Sequence, residues 1–252
     1  MKCDFNWSRF VAVLRWEMQS NKRFFLRKFL GVFFALMLLL YLIHFNNSGL
    51  VWLLGLFLFT FSVLGIGQLF YHLKTKQDYV SYLMLPASHL EKFVARWLMF
   101  TVVWTLIGLL GMIAAFLVTS LLGYIFGGWT SDIPTLLDLM RSWAVWDYSL
   151  SETLSLVIVV AWIHSVYLLG GTFFRRNAPL LTTVVVFAVG VLVAVILTKC
   201  LMGIDWDVYE VNETVAYWYG MIGGSLWTIL NYCLSFRIFK RFQIIAYKWI
   251  NV

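Results

Sequence analysis

The sequence predicts an all-α integral membrane protein: six transmembrane helices, an N-terminal interfacial elbow helix before the first of them, and both termini in the cytoplasm. Three observations carry this prediction. The first is composition, since 62% of the 252 residues are hydrophobic and only 12% are charged, too little polar surface to cover a water-soluble globule of that size. The second is a series of six apolar runs, at about 29–46, 50–72, 97–125, 153–174, 179–202 and 214–236. Each is long enough, at ~18 residues or more, to cross the ~30 Å hydrocarbon core as a helix. The third is the placement of charge. Lys and Arg flanking a span stay on the cytoplasmic side, and threading six spans puts all of the 19 basic residues except Arg141 and Lys199 on one side.

The opposite side is acidic, with Asp132, Asp138, Asp147, Glu152, Asp205, Asp207, Glu210 and Glu213 in its loops. The net charge of +7 therefore describes a cytoplasmic rim facing the membrane surface; no basic stripe sits on a soluble module, so no nucleic-acid partner is expected. The first apolar run begins after almost thirty residues of mixed charge and aromatics with no small-residue cleavage site, so the N-terminus is expected to be retained. Cys3, Cys200 and Cys233 are an odd number with no CxxC spacing, which supports neither a metal knuckle nor a disulfide framework. Residues 1–252 read as one transmembrane domain.

Along the chain, residues 5–28 carry a helical stripe of Trp7, Phe10, Val11, Leu14, Met18 and Phe25, with Arg9, Ser20, Arg23 and Arg27 near the opposite side. Such a helix prefers the interface, its apolar side chains at the acyl boundary and its arginines among headgroups. HFNNSG at 44–49 is a short turn that makes the first two spans an antiparallel hairpin. In the outer segment 126–152, Pro134 reads as a helix start, and Leu136, Leu137, Met140, Trp143 and Ala144 fall at helical spacing. A short amphipathic helix on the outer surface is expected there. The acidic loop GIDWDVYEVNET lacks the glycine and ordering of a calcium-binding hand and reads as solvated. After the sixth span, Arg237, Lys240, Arg241 and Lys248 alternate with Phe239, Phe242, Tyr247 and Trp249 as an interfacial anchor.

Catalytic chemistry is sparse. Ionisable groups inside a bundle are costly, at least ~2.5 kcal/mol each, and mark function or an internal partner. His164 is the only one near mid-span in the fourth segment, and no HExxH, GxSxG or paired acidic motif accompanies it. A hydrogen bond between helices is the expected role of this histidine, with a proton relay or substrate ligand as the alternative. Asn231, Gln68, Thr182 and Thr183 read as interhelical hydrogen-bonders or cavity groups; Gln68, His164 and Asn231 are the candidates for a substrate path. No GxxxxGK[ST] is present, so no nucleotide is bound and hydrolysed by that route. The chain is expected to hold no metal or cofactor and not to be an enzyme by itself.

The distinctive stretch is YLMLPASHLEKFVARW, residues 82–97, within a cytoplasmic loop spanning 73–96. Lys76 to Met84 suit a short helix, and Pro86 disfavours a helical conformation at Leu85. Ser88 and Glu91 then match the S-x-x-E capping box, in which each side chain satisfies a backbone donor at a helix start. Two short helices at an angle form a rigid knob with Tyr79, Tyr82 and Met84 exposed for docking in a partner's groove. Asp78, Pro86, Ser88, Glu91 and Lys92 complete the expected partner-coupling set.

The segment YLMLPASHLEKFVARWL resembles the LLPxSxxEK loop of permease subunits of the ABC-2 exporter type, in particular the six-span bacterial kind. The likeness covers about seventeen residues by motif and the rest of the chain by architecture. The resemblance implies an elbow helix at 5–28, a coupling helix in the loop at 73–96, cytoplasmic termini and residence in the bacterial inner membrane. It further implies a separate ATP-binding cassette ATPase that brings ATP and Mg, and a second permease copy or homologue. Together they would export a hydrophobic or amphipathic substrate. The sequence departs from the pattern before the sixth span, where 203–214 is short and acidic without an apolar reentrant pair, and its longest outer insertion precedes the fourth span. Two other readings stand beside this one: an intramembrane enzyme centred on His164, active as an isolated chain, and a non-transporting sensor or assembly protein that uses 82–97 as an adhesive.

Overall fold

The computed structural model describes residues 5–42, 50–70, 76–126, 149–174, 177–201 and 213–241. Among them the chain is helical, without a strand. The helices are α1 (Trp7–Leu42), α2 (Leu50–Gly67), α3 (Lys76–Leu83), α4 (His89–Leu98), α5 (Trp104–Phe126), α6 (Leu150–Phe173), α7 (Ala178–Leu201) and α8 (Glu213–Lys240). One π-helical turn, Met99–Val103, joins α4 to α5 without a break. Among the described residues four stretches are long and apolar enough to cross a membrane: Trp7–Tyr41, His89–Phe126, Leu150–Phe173 and Ala178–Ile196. A shorter apolar stretch runs from Leu53 to Gly67. These are the helices of a multi-pass membrane protein. The 44–49 turn, the outer segment 127–148, the acidic loop 202–212 and the tail from 242 lie outside the described residues.

The chain divides into two compact units, Met1–Gly65 with Leu85–Tyr148, and Ile66–Met84 with Ser149–Val252. In the first, α1 runs unbroken for 36 residues, about 54 Å at 1.5 Å per residue. The expected boundary between an elbow helix and a first span near residue 28 is therefore absent. Nothing in SNKRFFLRK breaks a helix, since the stretch holds neither proline nor glycine. The side of this half that is buried within the unit overlaps the expected lipid-facing stripe only in part. It reads Phe10, Val13, Glu17, Asn21, Phe24 and Phe25, whereas Trp7 and Met18 are exposed.

α1 and the continuous α4–α5 helix lie side by side in the same direction, as their partners show in order. Arg9 meets Glu91, Glu17 meets Arg96, and the rings of Phe25 and Phe100 lie 6.0 Å apart. Further along, a side chain at Gly111 would strike Val32. α2 returns antiparallel beside them. Its Phe61 stacks on Trp104 at 4.8 Å, and its Leu54 joins Val32, Leu36, Leu40, Met112, Ala115 and Phe116 in one apolar core.

In the second unit α6 packs along α8, and α7 folds back on α6. A capping box starts α6: Glu152 N–H donates to Ser149 Oγ, and Ser149 N–H to Glu152 Oε2 at 2.8 Å. Close approach of backbones holds the other end. A Cβ added to Gly171 would lie 2.9 Å from the Ile66 carbonyl oxygen, and one added to Gly170 would collide with Thr182. Glycine is required at both because backbone or a short side chain occupies the space. Asn177 (φ 49°) then turns the chain into α7 in the left-handed conformation, which asparagine tolerates better than most residues.

Candidate functional site: the capped loop helix and its clamp

The loop between α2 and α5 is built from its proline outward. Met84 N–H still bonds the Val80 carbonyl, closing α3, and Ala87 N–H bonds the Leu85 carbonyl at 2.8 Å across the turn. Ser88 adopts the extended conformation of an N-cap (φ −67°, ψ 157°). Its Oγ accepts from Glu91 N–H at 3.2 Å, and Glu91 Oε2 accepts from Ser88 N–H at 2.8 Å. The capping box read from S-x-x-E is thus formed.

Glu91 does more than close its own helix. Its other oxygen, Oε1, accepts from the backbone N–H of Asn6 at 2.7 Å and from Arg9 Nη2 at 3.1 Å. Asn6 in turn caps α1, its Oδ1 accepting from Ser8 N–H at 3.0 Å. One fully buried carboxylate therefore holds the first turns of two helices 85 residues apart in sequence. Hydrogen bonds to an ionised acceptor are about twice as strong as neutral ones, which lets this group remain charged away from water.

One and a half turns further along α4, Arg96 Nε lies 3.0 Å from Glu17 Oε1, both side chains buried. Asn21 Nδ2 donates at 2.9 Å both to Glu17 Oε2 and to the Glu17 carbonyl, fixing the carboxylate's rotamer. Lys92 is buried on the same helix. Between the two ion pairs, Phe10, Val13 and Ala95 form a small apolar core. α4 is consequently clamped to α1 at two points with hydrocarbon between, and neither ion pair announces itself locally, because its members are about eighty residues apart in sequence.

The expected site residues separate on inspection. Met84 is 78% exposed and Pro86 is exposed beside it; these form the tip. Asp78 stands in the first turn of α3, half-buried, where a negative charge suits the helix N-terminus. Tyr82 corrects the expectation of an exposed aromatic. It is 1% exposed because this turn of α3 faces α8, where its ring meets Phe239 edge-on at 6.4 Å, and Phe239 also stacks on Phe70 at 6.0 Å. Glu91 and Lys92 are buried, Glu91 in its bonds to Asn6 and Arg9 at the start of α1. The side chain of Tyr79 lies outside the described residues. Met84 and Leu85 stand on either side of the division between the two units, so α3 belongs to one unit and α4 to the other.

Of the substrate-path candidates, His164 and Asn231 come together. His164 Nδ1 and Tyr232 Oη lie 2.8 Å apart, and at the adjacent position of each helix Asn231 Nδ2 donates to Ser165 Oγ at 3.0 Å. These are neutral hydrogen bonds between α6 and α8, and Ser165 and Tyr232 are the partners that sequence reasoning did not name. Gln68 sits half-buried in the turn that ends α2. Thr183 pairs with Tyr167 at 2.8 Å between α7 and α6, while Thr182 bonds back to the Ala178 carbonyl within its own helix. Among the described residues no three His, Cys, Asp or Glu side chains gather in a metal-binding group.

No protein family, curated protein or solved structure matches this chain.

Proposed function

We propose that this chain is the membrane-spanning permease subunit of an ABC-type exporter. It crosses the bacterial cytoplasmic membrane six times with both termini inside, and it moves a hydrophobic or amphipathic substrate with ATP hydrolysed by a separate ATPase subunit. A second permease copy or homologue completes the pathway. The observation that carries this reading is the combination at 84–96 of an exposed Met84–Pro86 tip with a helix locked by its own cap and by two ion pairs to α1. A tip that only adhered to a partner would need no such anchorage. A tip that receives force does, because slack in the helix start would absorb the stroke. Pushed at its N-terminal end, α4 carries α5 through the uninterrupted π turn and carries α1 through Glu91 and Arg96. The lopsided distribution of Lys and Arg supports a cytoplasmic position for the tip.

The test is to purify the tagged full-length chain from its native membrane under mild detergent and assay the preparation for ATP hydrolysis. The reading expects a soluble ATPase subunit recovered in near-equimolar amount. A preparation of intact chain that contains no nucleotide-hydrolysing partner would contradict it.

A further inference from the structure

α1 carries a face that the packing of its unit leaves uncovered. Glu17 is the only acid in this helix, and it is buried and neutralised by Arg96. Next to the apolar run the exposed side carries Lys22, Arg23 and Arg27, and no exposed residue of the helix is acidic. None of these three forms an ion pair among the described residues; Arg27 Nε bonds only the Arg23 carbonyl, at 3.3 Å. Three cations within six residues repel one another, at a cost that an external anion would offset.

What kind of anion is indicated by the neighbours on that face. Leu26 and Leu30 are exposed between and just beyond the cations, and the uninterrupted apolar run Phe29–Leu42 begins two residues after Arg27. Lys28 already leans back over the rings of Phe24 and Trp104, 5.4 and 5.8 Å from their centroids. The cations call for negative charge and the exposed leucines for hydrocarbon, in that order along one helix. An acidic soluble protein would satisfy the second and leave the first wet.

We propose that Lys22, Arg23 and Arg27 form a binding face for the phosphate groups of anionic phospholipids, at the point where α1 enters the bilayer. This assignment rests on the membrane-spanning character of α1 and is independent of the transport reading. All three lie within about 11 Å of the apolar run along the helix axis, close to the ~10 Å Debye length at 0.1 M salt. Arg15, also exposed, lies roughly 20 Å away by the same rise and serves as an internal control.

The experiment is native mass spectrometry of the full-length chain in nonionic detergent, titrated with phosphatidylglycerol or with phosphatidylcholine of identical acyl chains. Wild type should bind the anionic lipid at least about fivefold more tightly, which is the contribution of one surface cation of ~1 kcal/mol. Lys22→Gln/Arg23→Gln/Arg27→Gln should abolish the preference without changing phosphatidylcholine binding, and Arg15→Gln should shift it less than about twofold. Helix content and elution volume check folding. If the triple variant fails them, the three single Gln variants carry the comparison, each reducing the preference more than Arg15→Gln does. Equal affinity of wild type for the two lipids, a preference that survives neutralisation, or an effect at Arg15 as large as at Arg27 would overturn the assignment.

Discussion

The two units solve the problem of joining helices in different ways. In the first, α1 meets α4 through charge: Arg9 with Glu91 and Arg96 with Glu17, around a core of Phe10, Val13 and Ala95. In the second, α6 meets α8 through neutral pairs, His164 with Tyr232 and Asn231 with Ser165, and glycines bring backbones into contact at its other end. The difference teaches where each junction can be strained. A buried ion pair is costly to form and costlier to half-remove, so it holds one register sharply. A seam of neutral hydrogen bonds in a bilayer contributes little per bond, because the separated helices find other partners. Under the permease reading the stiff junction receives the force and the soft one adjusts to cargo.

The largest expected effect breaks the stiff side. Arg96→Met leaves the Glu17 carboxylate buried without its guanidinium and should destabilise the first unit by about 3–5 kcal/mol, whereas Glu17→Leu/Arg96→Met should recover most of that loss. Thermal unfolding in detergent, read with protease cleavage sites on either side of Gly65, checks both the size and the confinement to one unit. Equal loss in the single and double variants would mean that the pair's geometry, not its charge, matters.

Glu91→Ala comes next. A capping residue alone is worth about 0.5–2 kcal/mol, but this carboxylate also serves Asn6 and Arg9. Its loss should cost about 1.5–3 kcal/mol and should raise amide hydrogen exchange in the first turn of α1 as well as of α4. Exchange confined to α4 would reduce Glu91 to an ordinary cap.

The smallest effect lies in the soft seam, where His164→Gln and Asn231→Leu should each change stability by about 0.6 kcal/mol and by no more than ~1.7. The same unfolding assay measures them. A loss comparable to that of Arg96→Met would erase the contrast between the units.

Much of this was legible from local pattern. Apolar runs marked the helices, and S-x-x-E marked the start of α4 to the residue, because a cap is a contact between neighbours in sequence. The second capping box, Ser149 with Glu152, obeys the same rule and was there to be read. Three features were not legible. The buried side of α1 includes Glu17 and Asn21, which any hydrophobicity pattern scores as surface, so an apolar stripe alone does not outline it. Tyr82 read as exposed because α3 alone does not reveal that Phe239 covers it. The partners of Glu91 and His164 are 85 and 68 residues distant, and pairing across such separations is decided by packing, not by periodicity.

The most direct test of the central proposal compares Met84→Asp with Tyr82→Ala by the amount of ATPase subunit retained on the purified chain. Met84 is exposed at the tip and should tolerate aspartate structurally, whereas Tyr82 is a buried contact of α3 with α8. The account predicts that Met84→Asp keeps wild-type unfolding behaviour but loses ATPase at least about tenfold, which is ~1.4 kcal/mol of the ~2 kcal/mol or more carried by an interface anchor. Tyr82→Ala should lower stability first and retain ATPase in whatever fraction stays folded. Undiminished ATPase on the Met84→Asp variant would contradict the role assigned to the tip.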